Sequence, residues 1–249
     1  MDIGVSETAA LLREKDNILI LSHTHPDGDT LGSATALCRA LQALGKHARV
    51  TCEDAIPDKF DYLYRGLDAI DFKPDFYVAV DVADKRLLGE EFVQRYGERI
   101  LLCVDHHPSN TKYAQYTLLD PKAAATCELI VRLIRALGVE MDAAMADGIY
   151  TGLTTDTGCF RYANVTSYTH RYAADAIEAG AHAAQINRVM FETMTRTYME
   201  LERLAMDGIR FFFDGKCAVI TLTQEMYRRS GSGEDECDAI AAIPRRIEG

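Results

Sequence analysis

Three apolar runs of strand length, Asn17–Ser22, Phe76–Val80 and Ile100–Val104, lead straight into aspartate or histidine. The first continues as HTHPDGD (residues 23–29), the second as Asp81, and the third as Asp105-His106-His107. Runs that stay apolar without alternation are buried on both faces, the pattern of strands in a parallel sheet covered by helices. Helical patterns separate or follow them. Thr30–Leu44 lines up Leu31, Ala34, Leu37, Leu41 and Leu44 on one face and has Gly45 past its end; Lys85–Tyr96, Thr126–Leu137, Ala143–Leu153 and Ser167–Ala179 follow. With a further short strand at Arg49–Cys52, strand and helix alternate. The fold class expected is α/β, a mainly parallel sheet with helices on both faces.

After Ala183 the pattern changes. Gln185–Met206 reads as one long helix, and Ile209–Phe213 and Cys217–Leu222 flank Asp214-Gly215-Lys216 as a hairpin would. Ser230-Gly231-Ser232-Gly233 reads as a loop before a final helical piece. The expected division is an α/β domain over 1–187, a linker helix over 188–207, and the start of a smaller α/β domain over 208–249.

The composition narrows the function. The chain has 249 residues, enough for a large core, and nothing approaches an 18-residue apolar stretch that would span a membrane. The start, MDIGVSETAALLREKDN, lacks the basic and apolar regions of a secretory signal. The seven cysteines (38, 52, 103, 127, 159, 217, 237) are odd in number and never spaced CxxC, as expected of reduced core residues in a cytoplasmic protein. The net charge of −11 disfavours a grip on long duplex nucleic acid, which needs a basic face. A small phosphorylated ligand held by a local site remains open.

In an open parallel sheet, ligands collect beyond the carboxyl ends of the strands, so these three strand ends would share one crevice. Asp156, in GLTTDTG, is a fourth candidate. Taken singly, an aspartate after a strand is more often a helix cap or turn former, and a histidine there is more often structural. Three such strand ends together, with histidines, shift the balance. Asp27, Asp29, Asp81 and Asp156 crowded together are costly without cations, and two divalent metals would offset their charge. Mixed Asp/His ligands suit Mn²⁺ first and Mg²⁺, Fe²⁺ or Zn²⁺ less specifically. Two such ions roughly 3.5–4 Å apart activate water and polarise a phosphoryl oxygen, so phosphoester hydrolysis is the chemistry expected.

The segments HTHPDGDTLGS, VAVDVAD, VDHHPSN and GLTTDTGCFRYANVT resemble, in order, the four motifs of the DHH phosphoesterase superfamily. The resemblance covers about residues 15–185 and is nearest to the branch that includes the nanoRNase/pAp phosphatase. It implies that His23, Asp27 and Asp81 hold one metal and that Asp29, Asp81, His106 and Asp156 hold the second, with Asp81 bridging. It implies that Asp105 orients His106, that His107 faces the substrate phosphate, and that Arg161 and Asn164 lie near the substrate. His25 fits no ligand position, and Asp84 reads either as an outer residue of the site or as the N-cap of the helix from Lys85.

The resemblance implies hydrolysis of short oligoribonucleotides or of 3′-phosphoadenosine 5′-phosphate (pAp). The alternatives are a phosphodiesterase for cyclic di-AMP or its linear product, a family II-type pyrophosphatase, and a non-catalytic nucleotide- or metal-binding module. The partner expected is a small nucleotide or short single-stranded RNA, with no membrane. The Met- and Tyr-bearing stretch around 190–199 is a candidate surface for a homodimer or for the chain's own core. The branch's glycine-rich GGGH motif is absent and the sequence stops at IPRRIEG, so an incomplete second domain is expected.

Overall fold

In the computed structural model, which describes residues 1–233 and 238–248, the apolar runs form a five-stranded sheet. Its strands are β1 (Ile18–Leu21), β2 (Ala48–Thr51), β3 (Phe76–Val80), β4 (Ile100–Asp105) and β5 (Tyr116–Leu119). They lie in the order β2-β1-β3-β4-β5, and every pairing is parallel. The chain leaves β1 for β2 on one side and then crosses to β3 on the other. A topological switch point therefore falls between β1 and β3, where a crevice opens at the carboxyl ends of the strands.

The period of two along each strand divides the core. Ile18, Ile20, Val78, Val80, Leu102 and Val104 face one way, onto α1 (Val5–Glu14), α2 (Gly28–Ala43), α4 (Thr126–Ala136), α5 (Ala143–Asp156) and α6 (Ser167–Glu178). Leu19, Leu21, Tyr77, Ala79 and Cys103 face the other way, where α3 (Glu90–Tyr96) covers them with Phe92 and Tyr96. Both faces are buried as the apolar runs require, but unequally. Of the described cysteines, Cys38, Cys103 and Cys127 are buried, Cys52, Cys159 and Cys217 are half-buried, and all six are free thiols. Cys237 lies outside the described residues.

Two pairs of glycines bring α2 and α5 together. A Cβ on Gly32 would lie 2.2 Å from the Gly148 carbonyl oxygen, and one on Gly148 would lie 2.7 Å from that of Gly32. One helical turn away on each side, Gly28 meets Thr155, and Gly152 meets Cys127 and Asp29. This backbone-to-backbone approach carries the start of α2 against the end of α5, and with them Asp29 and Asp156.

Several elements differ from the sequence reading. The pattern over Lys85–Tyr96 is broken into a 3₁₀ turn (Lys85–Leu88) and α3, because Gly89 between them takes a φ of 95°. Glu53 fills the space beside Gly89 and accepts a hydrogen bond from the Phe92 amide at 2.6 Å, capping α3 from a distance. The helix expected over Gln185–Met206 is interrupted. It becomes α7 (Ala183–Asn187), a wide π-type turn (Arg188–Glu192) and α8 (Arg196–Asp207), where the Thr195 hydroxyl makes a new N-cap by accepting from the Tyr198 amide. Helix α1, strand β5 and a 3₁₀ segment at Asp58–Tyr64 were not expected.

The chain divides into two compact units, Met1–Met190 and Phe191–Gly249. In the second, α8 packs through Leu201 and Ala205 on Ile240 and Ile243. This helix therefore contributes to a core of its own unit rather than serving only as a connector. Strands β6 (Arg210–Phe212) and β7 (Cys217–Val219) form the expected antiparallel hairpin with shorter arms, and α9 (Gln224–Ser230) follows. Ser230, read as loop, ends α9, and Gly231 caps it with a φ of 70°. In the 190–199 stretch, Tyr198 packs on this core, whereas Met194 and Met199 are exposed. No described helix is long and apolar enough to cross a membrane.

Candidate metal centre

The turn from β1 into α2 is fastened residue by residue. Ser22 donates its amide to the Thr51 carbonyl, the Cys52 thiol donates to the His23 carbonyl, Thr24 donates amide and hydroxyl to Leu87, and the His25 amide donates to Asp54 at 2.7 Å. His25 makes the bend itself, with a φ of 52° that costs a non-glycine residue of order 1–3 kcal/mol. Its imidazole is 96% exposed. Gly28 has a different use: a side chain there would collide with Thr155. Helix α2 starts at Gly28, so its N-cap is Asp27, which accepts from the amides of Asp29 and Thr30.

The bend turns Asp27 back toward His23, whose Nε2 lies 3.8 Å from Asp27 Oδ1 and 3.6 Å from Asp81 Oδ2. Its other nitrogen, Nδ1, sits 2.7 Å from the Thr24 carbonyl oxygen. A carbonyl only accepts, so Nδ1 carries a proton and Nε2 is the nitrogen presented to the carboxylates.

Asp81 follows β3 and is buried, with a strained φ of 61°. The Val80–Val104 register brings it beside Asp105 at the end of β4. His106 repeats the arrangement of His23: its Nδ1 lies 3.1 Å from the Ala123 carbonyl oxygen. Its Nε2 lies 3.2 Å from Asp156 Oδ2, 3.8 Å from Asp81 Oδ1 and 3.9 Å from Asp29 Oδ2. Asp105 does not orient His106, contrary to the expectation from sequence. It accepts from His107 Nδ1 at 2.8 Å and from Asn110 Nδ2 at 2.6 Å. Successive residues leave a strand in different directions, and it is the second histidine whose ring returns over Asp105.

Asp29 is fully buried and braced by α4. Its Oδ2 accepts from the Thr126 amide at 2.6 Å, and its Oδ1 accepts from the Cys127 amide at 3.0 Å and the Ser33 hydroxyl at 3.3 Å. The N-cap of α4 is Ala125, which has no polar side chain, so Asp29 supplies the missing acceptor from another helix. The Thr126 hydroxyl donates to Asp81 Oδ1 at 2.7 Å. Thr126, Cys127, Ser33 and Asn110 were not singled out from sequence. Nothing local distinguishes them from ordinary helix and loop residues, and their roles arise only when α4 meets α2 and β3.

Among the described residues, three groups each bring potential ligand atoms within 4.8 Å of one another: His23, Asp27 and Asp81; Asp29, His106 and Asp156; and Asp81, His106 and His107. Asp81 thus stands between the first two, with an oxygen toward the histidine of each.

The electrostatics are those of too many acids in too little water. Burial, then the Asp81 and Asp156 charges, push Asp29 well above the usual carboxylate range. Enclosure in the cleft and the same two charges push Asp27 up as well, although solvent reaching its 54%-exposed side chain tempers the effect. Burial also raises Asp156, against the attraction of the His106 ring 3.2 Å away. Asp81 goes the other way: burial opposes its ionisation, but the His23 imidazole 3.6 Å away and the charges of His106 and His107 outweigh it. Burial lowers the proton affinity of both His23 and His106, and the carboxylates outweigh it, lifting His23 to about 9 and His106 to about 10. His107 is raised mainly by its hydrogen bond to Asp105.

A divalent cation fits this donor set. His106 Nε2 is buried without an aligned hydrogen bond, although three carboxylate oxygens converge on it. A buried donor or acceptor left in that state costs free energy that a metal–nitrogen bond removes. Asp81 and Asp29 are likewise buried carboxylates, Asp81 among three histidines and the Thr126 hydroxyl and Asp29 held by the Thr126 and Cys127 amides and the Ser33 hydroxyl, and a cation would offset the charge crowded there.

The remaining expected residues are held by local hydrogen bonds. Asn164 donates Nδ2 to the carbonyls of Ala124 and Asp156, bracing its loop between the α4 approach and the end of α5. Arg161 donates Nε to the Gly158 carbonyl and is exposed. Asp84 is an N-cap, accepting from the Arg86 amide.

Residues 17–153 match the N-terminal domain of the DHH family. The chain belongs to the DHH family, whose phosphoesterases are hydrolases. It is 32% identical over 241 residues to a bifunctional oligoribonuclease and PAP phosphatase from Thermus thermophilus, covering 93% of this chain and 69% of that protein. The same-named protein of Bacillus subtilis is 23% identical over 241 residues, covering 94% of this chain and 75% of its own length. In fold, the chain is similar to an exopolyphosphatase-related protein from Bacteroides fragilis, with a TM-score of 0.89 at 23% identity over 98% of this chain and 76% of that one.

Proposed function

We propose that this chain is a cytoplasmic two-metal phosphoesterase acting on short single-stranded oligoribonucleotides, on the 3′-phosphate of pAp, or on both. The observation that carries this reading is the position of Asp81 between His23 and Asp27 on one side and His106, Asp29 and Asp156 on the other. The T. thermophilus and B. subtilis relatives, named for both substrates, support the choice of substrate class.

His23, Asp27 and Asp81 would hold one ion and Asp29, Asp81, His106 and Asp156 the other, with Mn²⁺ the first choice for so mixed a set. Bound there, the cations would supply positive charge for the phosphoryl oxygens and lower the pKa of water. The chain's own part is positional. The Thr24 and Ala123 carbonyls fix the tautomers of His23 and His106, so that both aim Nε2 inward. Asp105 holds His107 by Nδ1 and raises its proton affinity, so that a protonated ring would have its other nitrogen free to donate to a non-bridging phosphate oxygen as charge builds there. Arg161 and Asn164 stand on the loop after Asp156, and Asn164 donates to the Asp156 carbonyl.

Hydrolysis assays with Mn²⁺ on pAp, a 5′-phosphorylated RNA dinucleotide, cyclic di-AMP and pyrophosphate test the reading. Turnover of either of the first two in preference to the others is expected. Preference for pyrophosphate, or metal binding with no turnover of any of the four, would overturn it.

A further inference from the structure

Thr126 is fully buried at the first turn of α4 and touches the carboxylates assigned to both ions. Its amide donates to Asp29 Oδ2 at 2.6 Å, and its hydroxyl donates to Asp81 Oδ1 at 2.7 Å. The two carboxylates are not equally held. Asp29 also accepts from the Cys127 amide and the Ser33 hydroxyl. Asp81, apart from the three histidines around it, has the Thr126 hydroxyl as its partner among the described residues.

We propose that Thr126 is a positioning residue for the metal centre, its hydroxyl fixing which faces of the Asp81 carboxylate are open to the two ions. This inference rests on the two-metal reading above. A carboxylate swivels about its last torsion, and that torsion is soft. A donor locked on one oxygen removes the freedom. Thr126 suits the task because its branched side chain is stiff about χ1 and its hydroxyl comes from the same residue whose amide anchors Asp29. Asp29 and Asp81, on different elements, are thereby tied to one rigid helix end. The geometry assigns Thr126 no contact with substrate, so its effect falls on the metals.

The test is calorimetric titration of the metal-free chain with Mn²⁺ alone, alongside its thermal unfolding. Thr126→Val keeps the shape and the amide but removes the hydroxyl. It is expected to weaken Mn²⁺ binding by roughly 10-fold or more, the usual scale for an outer partner of a metal ligand. Thr126→Ser, which keeps the hydroxyl on a looser side chain, is expected to return affinity to within about 3-fold of the parent. A Val variant that unfolds at lower temperature yet binds Mn²⁺ as the parent does would reduce Thr126 to a structural residue and overturn the inference. If the Val variant does not fold, Thr126→Ala replaces it, and equal Mn²⁺ affinity in the Ala and Ser variants overturns the inference in the same way. Failure of the parent itself to bind Mn²⁺ would instead remove the two-metal reading and this inference with it.

Discussion

His107 Nδ1 lies 2.8 Å from Asp105 Oδ1, and the two ends of that contact live in different surroundings. Asp105 is fully buried at the end of β4, whereas the His107 side chain is 41% exposed. A buried anion thus holds a half-exposed imidazole by one nitrogen. The same carboxylate is held in turn by Asn110. Asp105→Asn would retain the shape but weaken the hold on the protonated ring. We expect kcat on pAp to fall roughly 10–100-fold with a much smaller change in Mn²⁺ affinity, since Asp105 bonds to His107, which the proposed ligand sets leave out, and not to His23 or His106. Steady-state kinetics at saturating Mn²⁺, with calorimetric metal binding beside them, check this. An Asn variant that loses Mn²⁺ instead would mean that Asp105 acts on the metals.

The proposed two-ion arrangement turns on Asp81. Its φ of 61° makes alanine a poor replacement, because a changed backbone would confuse the result. Asparagine tolerates that conformation and keeps the size. Asp81→Asn is expected to reduce hydrolysis to background and to lower the number of Mn²⁺ ions bound per chain below two. Atomic absorption on the dialysed protein and a phosphate-release assay measure both. Activity near that of the parent would sink the bridging assignment.

The glycines between α2 and α5 make a prediction that separates fold from site. A methyl group on Gly32 would strike the Gly148 carbonyl and force the helices apart without itself touching a proposed ligand side chain. One on Gly152 would lie 2.2 Å from Cys127 Sγ and 2.5 Å from Asp29 Oδ1. Both Gly32→Ala and Gly152→Ala should destabilise the chain by about 1–3 kcal/mol, as overpacking does. Gly152→Ala should in addition weaken Mn²⁺ binding, because it displaces Asp29, a proposed ligand. Thermal unfolding and metal titration of the pair are sufficient. Equal loss of metal affinity in both variants would show that helix spacing, not contact with Asp29, is what matters.

How far the sequence reached follows the same line between local and non-local causes. The apolar runs announced β1, β3 and β4, and their terminal Asp and His residues announced a crevice, because strand burial and strand ends are written in consecutive residues. Strand β5 was missed: Tyr116-Thr117-Leu118-Leu119 is short and half-exposed at its ends, and it becomes a strand by pairing with β4. The break at Gly89 depended on Glu53 reaching across from another segment. The same limit applied inside the site. Motif order pointed to His23, Asp27, Asp29, Asp81, His106 and Asp156, and these do converge. Which histidine Asp105 holds, and that Thr126 braces two acids at once, depended on side-chain directions and on a helix that arrives from elsewhere in the chain.

Removing metal should make the stability of this chain depend on pH in a direction opposite to ordinary acid denaturation. His23 and His106, at about 9 and about 10 in the folded chain, are raised above the ordinary histidine value, and so they bind protons more tightly folded than unfolded. Their stabilising contribution is complete below pH 6.5 and is lost as pH climbs toward 9 and 10. Asp29 and Asp156 are raised too, so ionising them from about pH 4 upward also costs the folded state. Asp81 is lowered, and its contribution is lost only in acid, outside this window. The metal-free chain should therefore unfold at progressively lower temperature from pH 6 to pH 9, each kcal/mol lost being worth roughly 2–4 °C in a chain of this size. Mn²⁺ competes with the same protons, so the stabilisation it confers should grow over that interval. Thermal unfolding in chelator and in saturating Mn²⁺ at pH 6, 7.5 and 9 measures both trends. A melting temperature in chelator that rises with pH would contradict the crowding of acids on which the metal centre is built.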